Sequence, residues 1–159
     1  PESLHEIALE LGSDVPFFLK PGPTEIGGRG EKLRDLPDYP KFHVVIIKPS
    51  FSISTLQAYQ NCLPKIQDKY PSIRSFDDLN SQMNNQFESS LLVQYPVLSK
   101  LKTLLLENGA FGALVSGSGS AVFGVYNKKD KQNQAYKVLS CLQVGEIFSC
   151  ESLVNHRYF

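Results

Sequence analysis

The sequence predicts an α+β fold in which an antiparallel sheet carries helices on one face. Short apolar runs rich in Val, Ala, Ile and Phe predict strands at 42–47, on both sides of a loop within 111–126, and at 146–153. Apolar residues at helical spacing predict helical segments over 54–63, 77–95, 96–108 and 130–142. From residue 42 onward, the order is strand, helices, strand, strand, helix, strand. This is the split β-α-β order.

The first 36 residues do not fit into that unit. Ser3 and Glu6 have the spacing of a capping box and predict a helix to Leu11. Its predicted buried face comprises Leu4, Ile7, Ala8 and Leu11. An apolar strand is expected after Asp14, and a strand interrupted by glycines over 24–33. One helix and two strands do not make a domain. We therefore expect 1–36 to be the end of one domain and 42–154 to be a second, ferredoxin-like domain, joined by a proline-containing connection at 35–41.

Composition and charge exclude several function classes. Lys plus Arg and Asp plus Glu each number 16, so the formal net charge is zero. The balance argues against a general nucleic-acid or membrane-surface binder, because no basic excess meets phosphate groups. The 3 cysteines are an odd number without C-x-x-C spacing, which indicates a reducing compartment and neither disulfides nor a zinc site. No apolar run approaches membrane-spanning length, and no signal peptide is recognisable.

A small polar loop between two apolar runs, Ser116 to Ser120, is the first candidate site. Its glycines allow positive φ angles and a close approach of the backbone to a ligand. Successive N–H groups in such a loop form a concave anion site, to which serine hydroxyls add donors. A phosphate group is the ligand that suits it. The alternative is a glycine-serine hairpin turn that binds nothing.

Asp14 is the second candidate, at a sharp junction that follows the first helix. As a structural residue it caps a turn through its own backbone. As a functional residue it is a fixed acid or base beside a ligand. His43, within an apolar strand and without a partner in sequence, favours a structural role.

Several stretches taken together resemble a known family. They are GSDVPFF with the later GRGEKL, then PSFSISTLQAY, and then GAFGALVSGSGSAVFG, in this order along the chain. The chain resembles the GHMP small-molecule kinases, and among them the members that act on a diphosphocytidyl derivative of methylerythritol. Asn85 to Glu88 resembles the N-D-L-E segment of those members, with Gln86 and Phe87 departing from it. The likeness extends over nearly the whole chain.

The resemblance implies phosphoryl transfer from ATP, with Mg²⁺, to a hydroxyl of the methylerythritol part of a small-molecule substrate. Asp14 matches the aspartate described as the catalytic base, and Thr55 matches a threonine near the substrate polyol. The residues that match a glycine loop close to the nucleotide are Gly117, Ser118, Gly119 and Ser120. The resemblance assigns no metal ligand. P-loop and protein-kinase signatures do not occur in the sequence, which argues against those classes.

The sequence also departs from this family. Its members carry an N-terminal lysine and a motif P-x-x-x-G-L-G-G-G-S-S around the ATP phosphates, and neither occurs here. The chain therefore resembles the C-terminal part of such a kinase, and we expect its partner to be the missing N-terminal half. Alone, it is expected to be inactive. The resemblance implies a bacterial cytoplasm or a plastid stroma as the location.

Two other hypotheses stay open at this stage. The first is another GHMP kinase, acting on homoserine, mevalonate or a sugar. The second is a free-standing ferredoxin-like module that binds a small ligand without chemistry, because a fold does not imply a function. Asp14 and residues 1–36 discriminate between these hypotheses, because a binding module has no use for them.

Overall fold

The chain folds into two compact units. The computed structural model describes residues 3–20, 22–28, 30, 32–35, 41–62 and 76–153. The first unit comprises Pro1–Lys41 with Leu153–Phe159, and the second comprises Phe42–Ser152. Most of the connection predicted at 35–41 lies outside the described residues. The two units are taken in turn below.

The first unit begins with a capped helix, as predicted. Its elements are α1 (Leu4–Leu11), a 3-10 helix (Val15–Leu19) and the antiparallel strands β1 (Thr24–Gly27) and β2 (Lys32–Asp35). The Ser3 side chain accepts a hydrogen bond from the Glu6 N–H, and the Glu6 carboxylate accepts one from the Ser3 N–H at 2.6 Å. This capping box satisfies two N–H groups that helix geometry leaves unpaired.

Two local expectations for this unit were wrong. The predicted strand after Asp14 is the 3-10 helix Val15–Leu19. Pro16 lies in its first turn, where the missing N–H costs nothing and the fixed φ suits a helix. The interrupted strand over 24–33 is a hairpin instead. It turns through Gly28 and Gly30, both at positive φ, a conformation that glycine adopts without steric cost.

The apolar face predicted for α1 is also mostly exposed. Ala8 is buried, as expected. Leu4 and Leu11 are 65% and 75% exposed, and Ile7 is exposed too. The helical spacing thus identified an apolar face correctly, but within the described residues this unit offers little to cover it.

The second unit is built on a four-stranded antiparallel sheet. Its strands are β3 (His43–Lys48), β4 (Gly112–Val115), β5 (Val122–Tyr126) and β6 (Glu146–Glu151). The strand order is β4-β5-β3-β6, so β3 lies in the interior of the sheet as predicted. The order of elements along the chain is the expected split β-α-β order, and the α+β class is confirmed.

Helices cover one face of this sheet and complete the core. They are α2 (Thr55–Gln60), α3 (Phe76–Gln82), α4 (Glu88–Gln94), α5 (Pro96–Glu107) and α6 (Lys129–Ser140). Helix α5 contacts β4 and β5, whereas α6 contacts β3, β5 and β6. The core combines strand and helix residues, among them Val45, Ile47, Leu98, Leu101, Leu105, Val122, Tyr126, Ala135 and Leu139.

One helical segment is interrupted, contrary to the expectation of a continuous apolar face over 77–95. Helix α3 ends at Gln82 and α4 begins at Glu88. Between them, the Asn85 side-chain oxygen accepts a hydrogen bond from the Phe87 N–H at 3.1 Å. Asparagine side chains compete in this way with the helical backbone for its N–H groups. The interruption positions Asn85 for the contacts described next.

Candidate functional site

The serine-glycine loop, Ser116–Ser120, joins β4 to β5. The Ser116 N–H donates to the Ala121 carbonyl at 2.8 Å, and the Gly119 N–H donates to the Ser116 carbonyl at 2.9 Å. Gly117 and Gly119 have φ angles of +52° and +83°. A Cβ on Gly117 would meet nothing within 4 Å, whereas one on Gly119 would lie 3.0 Å from Ile53 Cδ1. The loop thus has an open apex at Gly117 and a packed base at Gly119.

The apex of the loop presents two accessible backbone donors. Within the described residues, the N–H groups of Gly117 and Ser118 have no protein acceptor. Gly117 is exposed and Ser118 is half-buried. Unpaired N–H groups at an accessible loop apex are what an anion site needs. The accessible glycine-containing loop expected from the sequence is therefore present, and phosphate binding there stays a prediction.

Ser120 is placed differently from the rest of the loop. It is 2% exposed. Its hydroxyl donates to the Phe51 carbonyl at 2.5 Å and accepts a hydrogen bond from Lys48 Nζ at 3.0 Å. The Lys48 ammonium also donates to the carbonyls of Pro49 and Phe51, at 3.3 Å each. Ser120 therefore fastens the base of the loop to the end of β3. Sequence reasoning missed Lys48, although a lysine that ends an apolar strand is a usable signal.

Thr55 lies against the loop, so the structure brings two of the predicted site elements together. Its Oγ1 is 3.2 Å from the Ser118 Oγ, and the contact is exposed. Thr55 is the first residue of α2, whose N-cap is Ser54. The two hydroxyls form a pair of adjacent donors and acceptors at the surface of the second unit.

Asn85 contacts the loop through two backbone carbonyls. Its Nδ2 donates to the carbonyls of Val115 and Gly117, at 2.8 Å each. Its Oδ1 accepts from the Phe87 N–H. Both ends of the amide are therefore engaged with backbone. The Asn85 amide cannot rotate without breaking one of these bonds.

Glu88 reinforces the same strand end. Its Oε1 accepts the Val115 N–H at 2.7 Å, and its Oε2 lies 2.6 Å from Lys102 Nζ. The Glu88 and Lys102 side chains are only 14% and 19% exposed. A charge-assisted hydrogen bond in such surroundings is stronger than its neutral counterpart. In the sequence, Asn85 and Glu88 stand out only through the family resemblance, which assigns them no role.

A cavity of about 410 Å³ lies beside these residues. Its lining consists of Tyr59, Cys62, Asn84, Asn85, Gln86 and Phe87. The Tyr59 and Phe87 rings meet edge to face, with their centroids 4.9 Å apart. Asn85 thus lines the cavity and holds the serine-glycine loop at the same time.

Asp14 lies in the first unit, whereas Thr55 and the serine-glycine loop lie in the second. It is exposed and immediately precedes the 3-10 helix, but its carboxylate makes no capping hydrogen bond. The turn-capping role is therefore not observed. Gly30 is buried at a φ of +124°, and a Cβ on it would overlap the Ser13 carbonyl oxygen. The hairpin turn thus packs directly on the residue before Asp14.

The described residues contain neither a metal-ligand cluster nor a membrane-spanning helix. In that part of the chain, no group of three or more His, Cys, Asp or Glu side chains could hold a metal ion. Every helix in the same ranges is too short or too polar to cross a membrane.

Sequence comparison identifies the class to which this fold and loop belong. Residues 64–143 match the model of the C-terminal domain of GHMP kinases. The chain belongs to the GHMP kinase family. It is 38% identical over 155 residues to 4-diphosphocytidyl-2-C-methyl-D-erythritol kinase of Syntrophus aciditrophicus, a match that covers 94% of this chain and 56% of the relative.

Solved structures agree with this assignment. A crystal structure of 4-(cytidine 5'-diphospho)-2C-methyl-D-erythritol kinase superposes with a TM-score of 0.78 at 28% identity, covering 96% of this chain and 57% of the other. Homoserine kinase from Cytophaga hutchinsonii gives a TM-score of 0.62 at 19% identity, covering 86% and 50%. The second likeness concerns the fold alone. The chain spans little more than half the length of the relatives that it matches.

Proposed function

We propose that the full-length protein is a kinase that transfers a phosphoryl group from ATP to a methylerythritol hydroxyl of 4-diphosphocytidyl-2-C-methyl-D-erythritol, in the synthesis of isoprenoid precursors. The observation that carries this proposal is the 38% identity, over 94% of the chain, to a kinase of that name. The structural likeness to the same kinase supports it, with a TM-score of 0.78.

Asp14 is the catalytic residue in this proposal. Phosphoryl transfer needs a residue that orients the attacking hydroxyl and accepts its proton. The Asp14 carboxylate is exposed and makes no capping bond, so it is available for this task. The close packing of Gly30 on Ser13 restrains the backbone that carries it. Restraint matters, because a misplacement of about 1 Å can cost about a hundredfold in rate.

The serine-glycine loop binds the nucleotide in this proposal. Gly117 and Ser118 form the accessible part, where both N–H groups lack a protein acceptor within the described residues, and Gly119 lies at the packed base. Ser120 contributes by fastening the loop through Lys48 and Phe51. Such donors stabilise the charge of a transferring phosphoryl group.

Thr55, 3.2 Å from Ser118, is assigned to the substrate polyol. ATP supplies the phosphoryl group, and Mg²⁺ neutralises its charge when both are bound. The free loop donors fit an ATP phosphate. The described residues contain no cluster of ligands for the metal, so no residue of this chain is assigned to Mg²⁺.

We assign residues 1–36 to the end of an N-terminal kinase domain, and 42–154 to a ferredoxin-like C-terminal domain. The chain spans 56% of the Syntrophus relative, which supports a missing N-terminal half as its partner. That half supplies the motif around the ATP phosphates, so the 159-residue chain alone is expected to be inactive. A bacterial cytoplasm or a plastid stroma suits a kinase of this kind.

The alternatives have weaker support. The homoserine kinase structure shares the fold at 19% identity, which supports no substrate assignment. A free-standing binding module explains neither the family match nor an exposed aspartate that makes no capping hydrogen bond and follows a residue on which the hairpin packs. No specific observation favours either alternative over the diphosphocytidyl substrate.

ADP release by the full-length protein tests the proposal. With the diphosphocytidyl substrate we expect turnover, and a loss of about 100- to 10,000-fold in kcat for Asp14→Asn with folding intact. Asp35→Asn is the matched control, because Asp35 is an exposed carboxylate of the same unit that pairs with Lys20. It should leave kcat unchanged. Turnover only with homoserine or mevalonate would move the assignment to another GHMP kinase. ADP release by the 159-residue chain alone would contradict its expected inactivity.

A further inference from the structure

We propose that Asn85 is a positioning residue for the nucleotide, because it sets the orientation of the peptide that joins Gly117 to Ser118. The inference rests on the proposed function, in which the serine-glycine loop receives ATP. The family resemblance assigns Asn85 no role at this site. Asn85 acts through the backbone and is not itself a catalytic residue.

The geometry of a trans peptide carries the argument. In a planar trans peptide, the C=O and the following N–H point in opposite directions. The Gly117 carbonyl points toward Asn85 Nδ2, at 2.8 Å. The Ser118 N–H therefore points away from Asn85. Within the described residues, the Ser118 N–H has no acceptor. The hydrogen bond from Asn85 therefore leaves this N–H available to a ligand.

A second bond fixes where this peptide lies. The other Asn85 Nδ2 hydrogen reaches the Val115 carbonyl, also at 2.8 Å, at the end of β4. One amide thus spans the last strand residue and the loop apex. Gly117 has a φ of +52° and open space around its Cβ position, so sterics alone do not hold the apex in place. The Asn85 amide supplies that restraint.

The side chain has one orientation that satisfies its neighbours. Its Oδ1 accepts from the Phe87 N–H, so rotating the amide by half a turn would direct Oδ1 at the two carbonyls. Asn85→Asp directs a carboxylate oxygen at these carbonyls at every side-chain angle, because a carboxylate has no hydrogen to donate. The oxygens then repel each other. The carbonyls of Val115 and Gly117 then turn away, and the Ser118 N–H turns with them.

The chain offers a matched control in the preceding residue. Asn84 lines the same cavity as Asn85 but makes no hydrogen bond to the loop in the described part of the chain. Asn84→Asp introduces the same negative charge close to the same place. This control separates the loss of the two Asn85 hydrogen bonds from simple repulsion between a carboxylate and the ATP phosphates.

The experiment measures the Kd of ATP by calorimetry and both KM values by ADP release, in the full-length protein. For Asn85→Asp we expect a rise of about tenfold or more in the Kd and KM of ATP, the size that follows from losing two backbone hydrogen bonds. The KM of the acceptor should stay within about twofold. Asn85→Ser, which is uncharged and keeps one donor, should have a smaller effect, and Asn84→Asp should match the wild type.

Amide NMR gives a second readout that needs no ligand. The Ser118 resonance should shift in Asn85→Asp and Asn85→Ser, and stay in place in Asn84→Asp. If Asn85→Asp does not fold, Asn85→Ser carries the test by both readouts.

Each of the other outcomes has a definite meaning. Wild-type affinity for ATP in the Asn85 variants would overturn the positioning role and leave the proposed function standing. Equal losses in Asn85→Asp and Asn84→Asp would overturn it in favour of a charge effect. Parallel rises in both KM values with a lowered Tm would overturn it in favour of a merely structural role. A wild-type protein that neither binds nor turns over ATP would overturn this inference and the proposed function together.

Discussion

The two units differ in how far they bury their apolar residues. In the second unit, strands and helices share a core in which Val45, Ile47 and Leu105 are fully buried. In the described part of the first unit, Leu11 and Phe18 are 75% and 72% exposed. Both units nevertheless contain well-formed helices and strands. Caps and turns can therefore specify local structure, whereas burial needs a partner surface.

The candidate site residues are divided between the same two units. The serine-glycine loop is held from two sides, by Asn85 and by Lys48 through Ser120, all within the second unit. Asp14 belongs to the first unit, where Gly30 packs against the preceding carbonyl. We therefore expect the loop to keep its geometry in this chain alone.

The largest expected contrast is between two leucine truncations. Leu105→Ala in the second unit should lower the free energy of unfolding by about 2–5 kcal/mol, because it leaves a cavity in a packed core. Leu11→Ala in the first unit should change it by less than about 0.5 kcal/mol in the 159-residue chain. Urea unfolding followed by circular dichroism measures both changes.

The same pair sharpens the comparison in the full-length protein. If the N-terminal half covers the exposed face of α1, the cost of Leu11→Ala should rise above about 1 kcal/mol there. The cost of Leu105→Ala should not change. Equal costs for the two variants in the isolated chain would contradict the difference between the units.

A rise in pH is expected to have an intermediate effect on stability, through a buried tyrosine in the core of the second unit. Burial raises the pKa of Tyr126 to about 12, compared with about 10 in an unfolded chain. Because the folded state favours the neutral phenol, the contribution of Tyr126 to the free energy of unfolding is fully present below about pH 10. It is lost as the pH rises toward about 12. The loss amounts to at most about 2–3 kcal/mol.

Tyr126→Phe should remove that alkaline loss. It should change stability little at neutral pH, because among the described residues the Tyr126 hydroxyl reaches only the Leu105 carbonyl, at 3.5 Å. Tyr59→Phe alters an exposed ring of the same unit, so the alkaline loss of stability should persist in this variant. Urea titrations at several values between pH 8 and 12 measure it. An unchanged alkaline slope in Tyr126→Phe would show that this phenol is not the group responsible.

The smallest effect on the unfolding of the second unit is expected from Gly30→Ala, although its effect on activity should be large. The new Cβ would overlap the Ser13 carbonyl, and the φ of +124° is unfavourable for alanine. We expect faster amide exchange over 13–18 and a fall of about tenfold or more in full-length kcat. The unfolding transition of the second unit should stay in place.

Gly12→Ala is the matched control for this variant. Gly12 has an extended φ of 161°, and its Cβ would make an ordinary contact with Val15 at 3.5 Å. It should leave both exchange and kcat close to wild type. A normal kcat in Gly30→Ala would separate the hairpin packing from the role proposed for Asp14.

The sequence determined the features that depend on neighbouring residues. The capping box of Ser3 and Glu6, the start of α5 at Pro96 and its termination at Gly109 all follow from local hydrogen bonds and backbone angles. The split β-α-β order followed from apolar periodicity, because period and length distinguish strands from helices. The glycines of the serine-glycine loop likewise predicted a loop with an open backbone.

The tertiary structure alone decided which surfaces and polar groups meet. Helical spacing identified the apolar face of α1 but not whether anything covers it. Pro16 suits an extended start as well as a first helical turn, so the 3-10 helix after Asp14 could not be read locally. Asn85 lies 30 residues from Val115, and Lys48 lies 72 residues from Ser120. Hydrogen bonds between such distant residues form only when packing brings them together, because the sequence fixes their donors but not their partners.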